Sequence, residues 1–137
     1  MEWTPHSLKQ NTALISPKRI VALLTGIQFG KTECGAVRTR IVANTTVPGE
    51  AQIVTAPTYK IMQQSTLPAF FTIMDGLGTY NKVDAEYRIP GAGTIYFRTA
   101  TDPNSVVGIR KVRSIWCDEA GLYPLYFWEN IQARAAF

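Results

Sequence analysis

An apolar, β-branched run, Ile20-Val21-Ala22-Leu23-Leu24, passes straight into Thr25-Gly26-Ile27-Gln28-Phe29-Gly30-Lys31-Thr32. Residues 31–44 then carry Ala36, Val37, Ile41 and Val42 at helical spacing. A buried strand, a glycine-bearing loop and a helix in direct succession form the setting in which a Gly-Lys-Thr run wraps a phosphate group. Backbone N–H groups between Gly26 and Lys31 can point at phosphate oxygens, and the helix N-terminus adds partial positive charge. Lys31 is then placed to sit between the β- and γ-phosphates of a nucleotide, with the Thr32 hydroxyl on Mg²⁺. The pattern departs from its usual form in one place. Its first position is Thr25, and Gly26 follows one residue later.

The rest of the chain supplies a sheet for that loop. Residues 52–56 form a second buried-type strand, stopped by Pro57. Residues 58–74 are spaced as a helix with a kink or break expected around Pro68. Tyr87-Arg88-Ile89 and Thr94-Ile95-Tyr96-Phe97-Arg98 flank Pro90-Gly91-Ala92-Gly93, which predicts a β-hairpin. Residues 112–117 form a third buried strand ending at Asp118-Glu119, and residues 125–137 an amphipathic helix. Alternating strands and helices predict an α/β fold: a mostly parallel sheet flanked by helices, with the hairpin inserted.

Ser114-Ile115-Trp116-Cys117-Asp118-Glu119 carries the second candidate site. An apolar strand puts Asp118 at its carboxyl end, where open α/β sheets bind ligands. There Asp118 can hold Mg²⁺ through water, and Glu119 can take a proton from an attacking water. Phosphate loop and Asp-Glu strand together make ATP with Mg²⁺ the expected ligand and an ATPase of the phosphate-loop class the expected fold. Other chemistries are excluded by residue counts. One histidine, His6, rules out a multi-histidine metal site within the chain, and two cysteines, Cys34 and Cys117, are too few for a disulfide scaffold. The longest apolar runs are far shorter than a membrane span of about 20 residues. The net charge of +4, from 14 basic and 10 acidic residues, permits a polyanionic partner without demanding one.

Taken jointly, these segments resemble the ATPase domain of the terminase large subunit of tailed bacteriophages. Ala56-Pro57-Thr58-Tyr59-Lys60 is similar to that family's segment after its second strand. The stretch from Phe97-Arg98-Thr99-Ala100 through Gly108 to Trp116-Cys117-Asp118-Glu119-Ala120-Gly121 is similar to its approach to the second ATPase motif. Residues 5–10 resemble its adenine-reading segment, which assigns Gln10 to the base. Relatives often carry an arginine inside the phosphate loop where this chain has Ile27; Arg110, ahead of the Asp-Glu strand, is then the candidate arginine presented to a neighbouring subunit.

The resemblance implies ATP hydrolysis driving double-stranded DNA into a procapsid in the host cytoplasm. It also implies a homo-oligomeric ring working with a portal protein and a small terminase subunit, and no membrane. Residues 1–137 are expected to be the N-terminal part of such an ATPase domain, apparently truncated and without the family's nuclease domain. Two alternatives remain. A helicase-like nucleic-acid-dependent ATPase shares both motifs, although Asp118-Glu119-Ala120-Gly121 differs from the Asp-Glu-Ala-Asp run typical of that class. A nucleotide-binding or assembly module without turnover is the other.

Overall fold

A computed structural model describes residues 4–5, 8–16, 21 and 30–135 of the chain. The strand expected at residues 20–24, Val21 apart, lies outside the described residues, as do His6 and Thr25, Gly26, Ile27, Gln28 and Phe29.

Helix α1 (Leu8–Ile15) precedes α2 (Lys31–Ala43), which leads to strand β1 (Ala51–Ala56). Next comes α3 (Tyr59–Ile61), a π-helical turn (Met62–Thr66) and α4 (Leu67–Met74). Three strands follow: β2 (Thr79–Asn81), β3 (Glu86–Arg88) and β4 (Thr94–Thr99). Strand β5 (Val112–Cys117), a 3₁₀ turn (Ala120–Leu122) and α5 (Leu125–Arg134) complete the order. Among the described residues the strands form a five-stranded sheet in the order β2-β3-β4-β1-β5. β1 pairs in parallel with β4 on one side and β5 on the other, and β2–β3 and β3–β4 are antiparallel. The expected hairpin is therefore present as β3 and β4, with β2 extending it.

Every residue of β1 is buried, as befits a central strand covered on both faces. Val54 and Ala56 meet α4 together with Phe70, Met74, Ile95 and Phe97. Ala51 and Ile53 face the other way, against Val106, Ile109, Phe127 and Ile131. The link between β4 and β5 crosses beneath β1 on that second face, so Ala100, Val106 and Ile109 serve as core. Phe70 holds the hairpin to the helical layer, its ring edge-on to Phe97 at 4.8 Å and to Tyr87 at 4.9 Å. Such geometry adds about 0.5–1.5 kcal/mol per pair beyond burial.

The irregularity expected at Pro68 takes a particular form. The helix widens ahead of the proline: the Leu67 N–H bonds the Met62 carbonyl, a five-residue reach. Pro68 follows directly, inside a backbone that stays helical through Thr66 and Leu67, and its missing N–H is accommodated by the wider turn before it.

Helix α2 approaches β5 more closely than a side chain would allow. A Cβ added at Gly35 would overlap the Trp116 indole, with Nε1 nearest. Trp116, itself partly exposed, packs against both the α4 cluster and the cluster formed by Leu14, Cys34, Ala36, Val37 and Ile73, so its ring can give way only by losing those contacts. Glycine inside a helix ordinarily costs about 1 kcal/mol relative to alanine. Here the expected sign reverses. Gly35→Ala should destabilise the chain by about 1–3 kcal/mol, the range for overpacking a filled core, read as a lower urea midpoint at unchanged slope. A rise in midpoint would contradict this account of the α2–β5 contact.

Candidate functional site

Lys31 opens α2, and Gly30 before it has φ 76°, a left-handed conformation that a side chain would strain. Glycine is thus required where the loop turns into the helix. The Gly30 carbonyl accepts from Cys34 N–H at 2.9 Å and from the Gln10 side-chain amide at 3.3 Å. Gln10 is fully buried, and its backbone carbonyl accepts from the Cys34 thiol at 3.9 Å. Helix α1 is therefore tied to the first turn of α2 by Gln10 rather than by apolar contact alone. Burial, with a smaller contribution from Glu33, raises the Cys34 pKa.

The carboxyl end of β5 lies against this first turn. Trp116 and Asp118 share the face that α2 covers, as alternation along a strand requires. The Thr32 hydroxyl donates to Asp118 Oδ1 at 3.1 Å, and the Thr66 hydroxyl donates to Oδ2 at 2.7 Å. Asp118 is 4% exposed. A carboxylate so far from water is tolerable because both oxygens accept hydrogen bonds.

Past Asp118 the chain turns sharply. Glu119 adopts φ 51° and ψ 44°, left-handed backbone that costs a residue with a Cβ about 1–2 kcal/mol. The turn is held from the other face of the sheet. The Tyr123 hydroxyl donates to the Asp118 carbonyl at 2.9 Å and lies 2.7 Å from the Thr55 hydroxyl on β1. The Asp118 N–H is bound to the Thr55 carbonyl at 3.0 Å. Desolvation drives the Tyr123 pKa far upward, with Cys117 as a further cause, so the phenol stays a neutral donor. Burial likewise pushes the neighbouring Cys117 thiol up to about 11. Glu119 itself is exposed, its carboxylate open to solvent at the site's rim.

The structure brings together Gln10, Gly30, Lys31 and Thr32 at the start of α2, and Asp118 with Glu119 at the end of β5. Arg110 lies elsewhere. It is exposed, two residues ahead of β5, at the opposite end of the strand from Asp118. At about 3.3 Å per residue the strand alone separates them by about 20 Å, beyond the reach of an arginine toward its own Asp118. Tyr59 and Lys60 are exposed, and Tyr126 is a surface residue, whereas Phe127 is core. Thr66, Thr55 and Tyr123 belong to the site but carry no sequence motif. The available clues were a threonine at the boundary between the polar Gln63-Gln64-Ser65 run and the apolar helix that follows, and a tyrosine four residues after the Asp-Glu pair.

Among the described residues no group of three or more His, Cys, Asp or Glu side chains could hold a metal by itself. Mg²⁺ does not need one. It is usually held by one or two protein oxygens together with substrate phosphates and water. Thr32 Oγ1 and Asp118 Oδ1 lie 3.1 Å apart, so they converge on one place at the start of α2, where the hydroxyl can meet the ion and the carboxylate can hold it through water. These two residues therefore fit that ion. No described helix is long and apolar enough to cross a membrane.

No protein-family profile matches the chain, and no curated protein does. Solved structures do. The large terminase from a thermophilic bacteriophage superposes with a TM-score of 0.82 at 19% identity, covering 98% of this chain and 37% of that one. The same terminase in complex with ADP gives a TM-score of 0.80, and in complex with ATP-γ-S 0.78, each at 19% identity and covering 97% of this chain and 36% of that one. The chain thus has the fold of a large-terminase segment and spans just over a third of the length of the structures it matches.

The Tyr123 network carries a prediction. Tyr123→Phe keeps the ring but leaves the buried Asp118 carbonyl without its side-chain donor, which costs about 1–3 kcal/mol. Urea unfolding should show a lower midpoint with an unchanged slope. A midpoint within error of the parent would show that the phenol contributes nothing to holding the turn.

Proposed function

We propose that this chain is the nucleotide-binding part of an ATPase of the large-terminase type, whose turnover drives double-stranded DNA into a procapsid. The observation that carries the proposal is the meeting of Thr32 with Asp118 across 86 residues of sequence. It joins the Gly-Lys-Thr helix start to the acidic strand end within a fold whose solved counterparts include complexes with ADP and ATP-γ-S.

Each residue then has a role its surroundings support. Gly30 and the first N–H groups of α2 face the phosphates, and the helix start favours their charge. Lys31 places its ammonium at the β- and γ-phosphates. Thr25, Gly26, Ile27, Gln28 and Phe29 complete the loop. Thr32 and Asp118 hold Mg²⁺, which supplies positive charge to the phosphates. Glu119 accepts the proton of the attacking water, a role suited to a carboxylate at the solvent boundary. Gln10, which the family resemblance assigns to the adenine, is fully buried with its amide on the Gly30 carbonyl, so its part here is to hold α1 against the end of the loop. Arg110, too far along β5 to serve its own pocket, is assigned to the pocket of a neighbouring subunit in a homo-oligomeric ring. Portal protein, small terminase subunit and a cytoplasmic place of work follow from the same proposal.

Lys31→Ala and Glu119→Gln should separate binding from hydrolysis. By calorimetry, Lys31→Ala should weaken ATP at least about tenfold, the loss expected for a charge-assisted contact. Glu119→Gln should bind ATP–Mg²⁺ within a few-fold of the parent and hydrolyse it far more slowly, with and without duplex DNA. In assembled mixtures, Arg110→Ala and Lys31→Ala subunits should together recover activity that neither has alone. Unchanged ATP affinity in Lys31→Ala would remove the phosphate-loop assignment, wild-type turnover in Glu119→Gln its base, and absence of rescue the role of Arg110.

A further inference from the structure

Threonines inside helices usually turn their hydroxyls back onto the carbonyl four residues earlier. Three threonines of this chain do so: Thr12 to Leu8, Thr39 to Gly35 and Thr72 to Pro68, each at 2.9 Å. Thr66 does not. Its only proton goes to Asp118 Oδ2 at 2.7 Å, the shorter of the two hydroxyl contacts that carboxylate receives. Thr66 is fully buried and ends the π-helical turn Met62–Thr66. Within that turn the Met62 carbonyl, the usual acceptor for Thr66, is taken by the Leu67 N–H. Rather than share that carbonyl, the Thr66 hydroxyl turns to the end of β5. π-Helical turns are uncommon and recur at functional sites.

We propose that Thr66 is a positioning residue: it anchors Asp118 Oδ2, which leaves Oδ1, beside Thr32, as the oxygen presented to a divalent cation. This rests on the nucleotide–Mg²⁺ function proposed above. The two hydroxyls differ in kind. Thr32 stands at the start of α2 and is itself a proposed metal contact, so its bond to Oδ1 is replaced when the site fills. Thr66 stands behind the carboxylate and keeps its bond in both states. Without it, Asp118 has a second buried oxygen unpaired and is free to rotate its carboxyl group, and metal affinity falls. Removing such outer partners of metal ligands typically costs about 10–100-fold in affinity.

The test uses the full chain with Mn²⁺ as a spectroscopic probe and ATP-γ-S as the nucleotide, reading bound Mn²⁺ by electron paramagnetic resonance. Thr66→Val, nearly isosteric but without a donor, should weaken Mn²⁺ about tenfold or more. Thr66→Ser, which keeps the hydroxyl and loses the methyl, should bind Mn²⁺ within about threefold of the parent even if it melts at a lower temperature. Unchanged Mn²⁺ affinity in folded Thr66→Val would overturn the proposal and leave Thr66 a packing residue. An equal loss in Thr66→Ser would overturn it too, since packing rather than the hydroxyl would then be responsible. Should Thr66→Val fail to fold, Thr66→Ala is read against Thr66→Ser, since the two differ by the hydroxyl alone: weaker Mn²⁺ binding in the alanine variant supports the proposal, and equal binding in both overturns it. A parent chain that binds no Mn²⁺ with ATP-γ-S would contradict the proposed function itself, a result separable from any difference among the variants.

Discussion

One buried acidic residue, Asp118, 4% exposed to solvent, governs this structure. Asp118 is placed by three parts of the chain that are remote in sequence: the start of α2 through Thr32, the π-helical turn through Thr66, and β1 through Thr55 and its partner Tyr123. A buried charge demands such partners, because an unpaired one is penalised by several kcal/mol. Meeting that demand fixes how close α2 must lie to β5. The glycine at position 35, pressed against Trp116, is the steric counterpart of the same constraint.

The two faces of the sheet divide the work. On the face covered by α1, α2 and α4, polar groups converge at the sheet's carboxyl end, where Gln10 and Thr66 are buried and hydrogen-bonded. The opposite face is a conventional core of Ile53, Val106, Phe127 and Ile131 beneath α5. Tyr123 joins the two, since its ring packs edge-on against Phe127 at 5.2 Å while its hydroxyl reaches the Asp118 carbonyl. Helix α5 is thereby coupled to the turn that carries Glu119.

Much of the architecture was legible in the sequence because it is local. Helix α2, strands β1 and β5, and the β3–β4 hairpin each carry their own periodicity, and the observed boundaries fall within a residue or two of expectation. Strand β2 was missed because Thr79-Tyr80-Asn81 is short, polar and half exposed, and is a strand only by pairing with β3. The break expected at Pro68 appears as a wider turn before it, since the sequence tells where a helix cannot donate but not how the preceding residues accommodate that. The site divides in the same way. Lys31, Thr32, Asp118 and Glu119 announce themselves by motif. Thr66 and Tyr123 do not, because their roles exist only through partners 52 and 5 residues away whose meeting depends on the assembled sheet. The strand at residues 20–24 and the loop residues 25–29 lie outside the described residues, so their expected form rests on sequence alone.

The central claim is that the first turn of α2 and the end of β5 form one nucleotide–Mg²⁺ site. Amide chemical-shift mapping by NMR, with ADP–Mg²⁺ titrated into the uniformly labelled chain, tests it most directly. The account predicts saturable shifts concentrated at Gly30, Lys31, Thr32 and Glu33 together with Asp118 and Glu119, and weaker shifts at Thr66 through its bond to the carboxylate. Shifts at the start of α2 that leave Asp118 and Glu119 unmoved, or shifts confined to another face of the sheet, would contradict it.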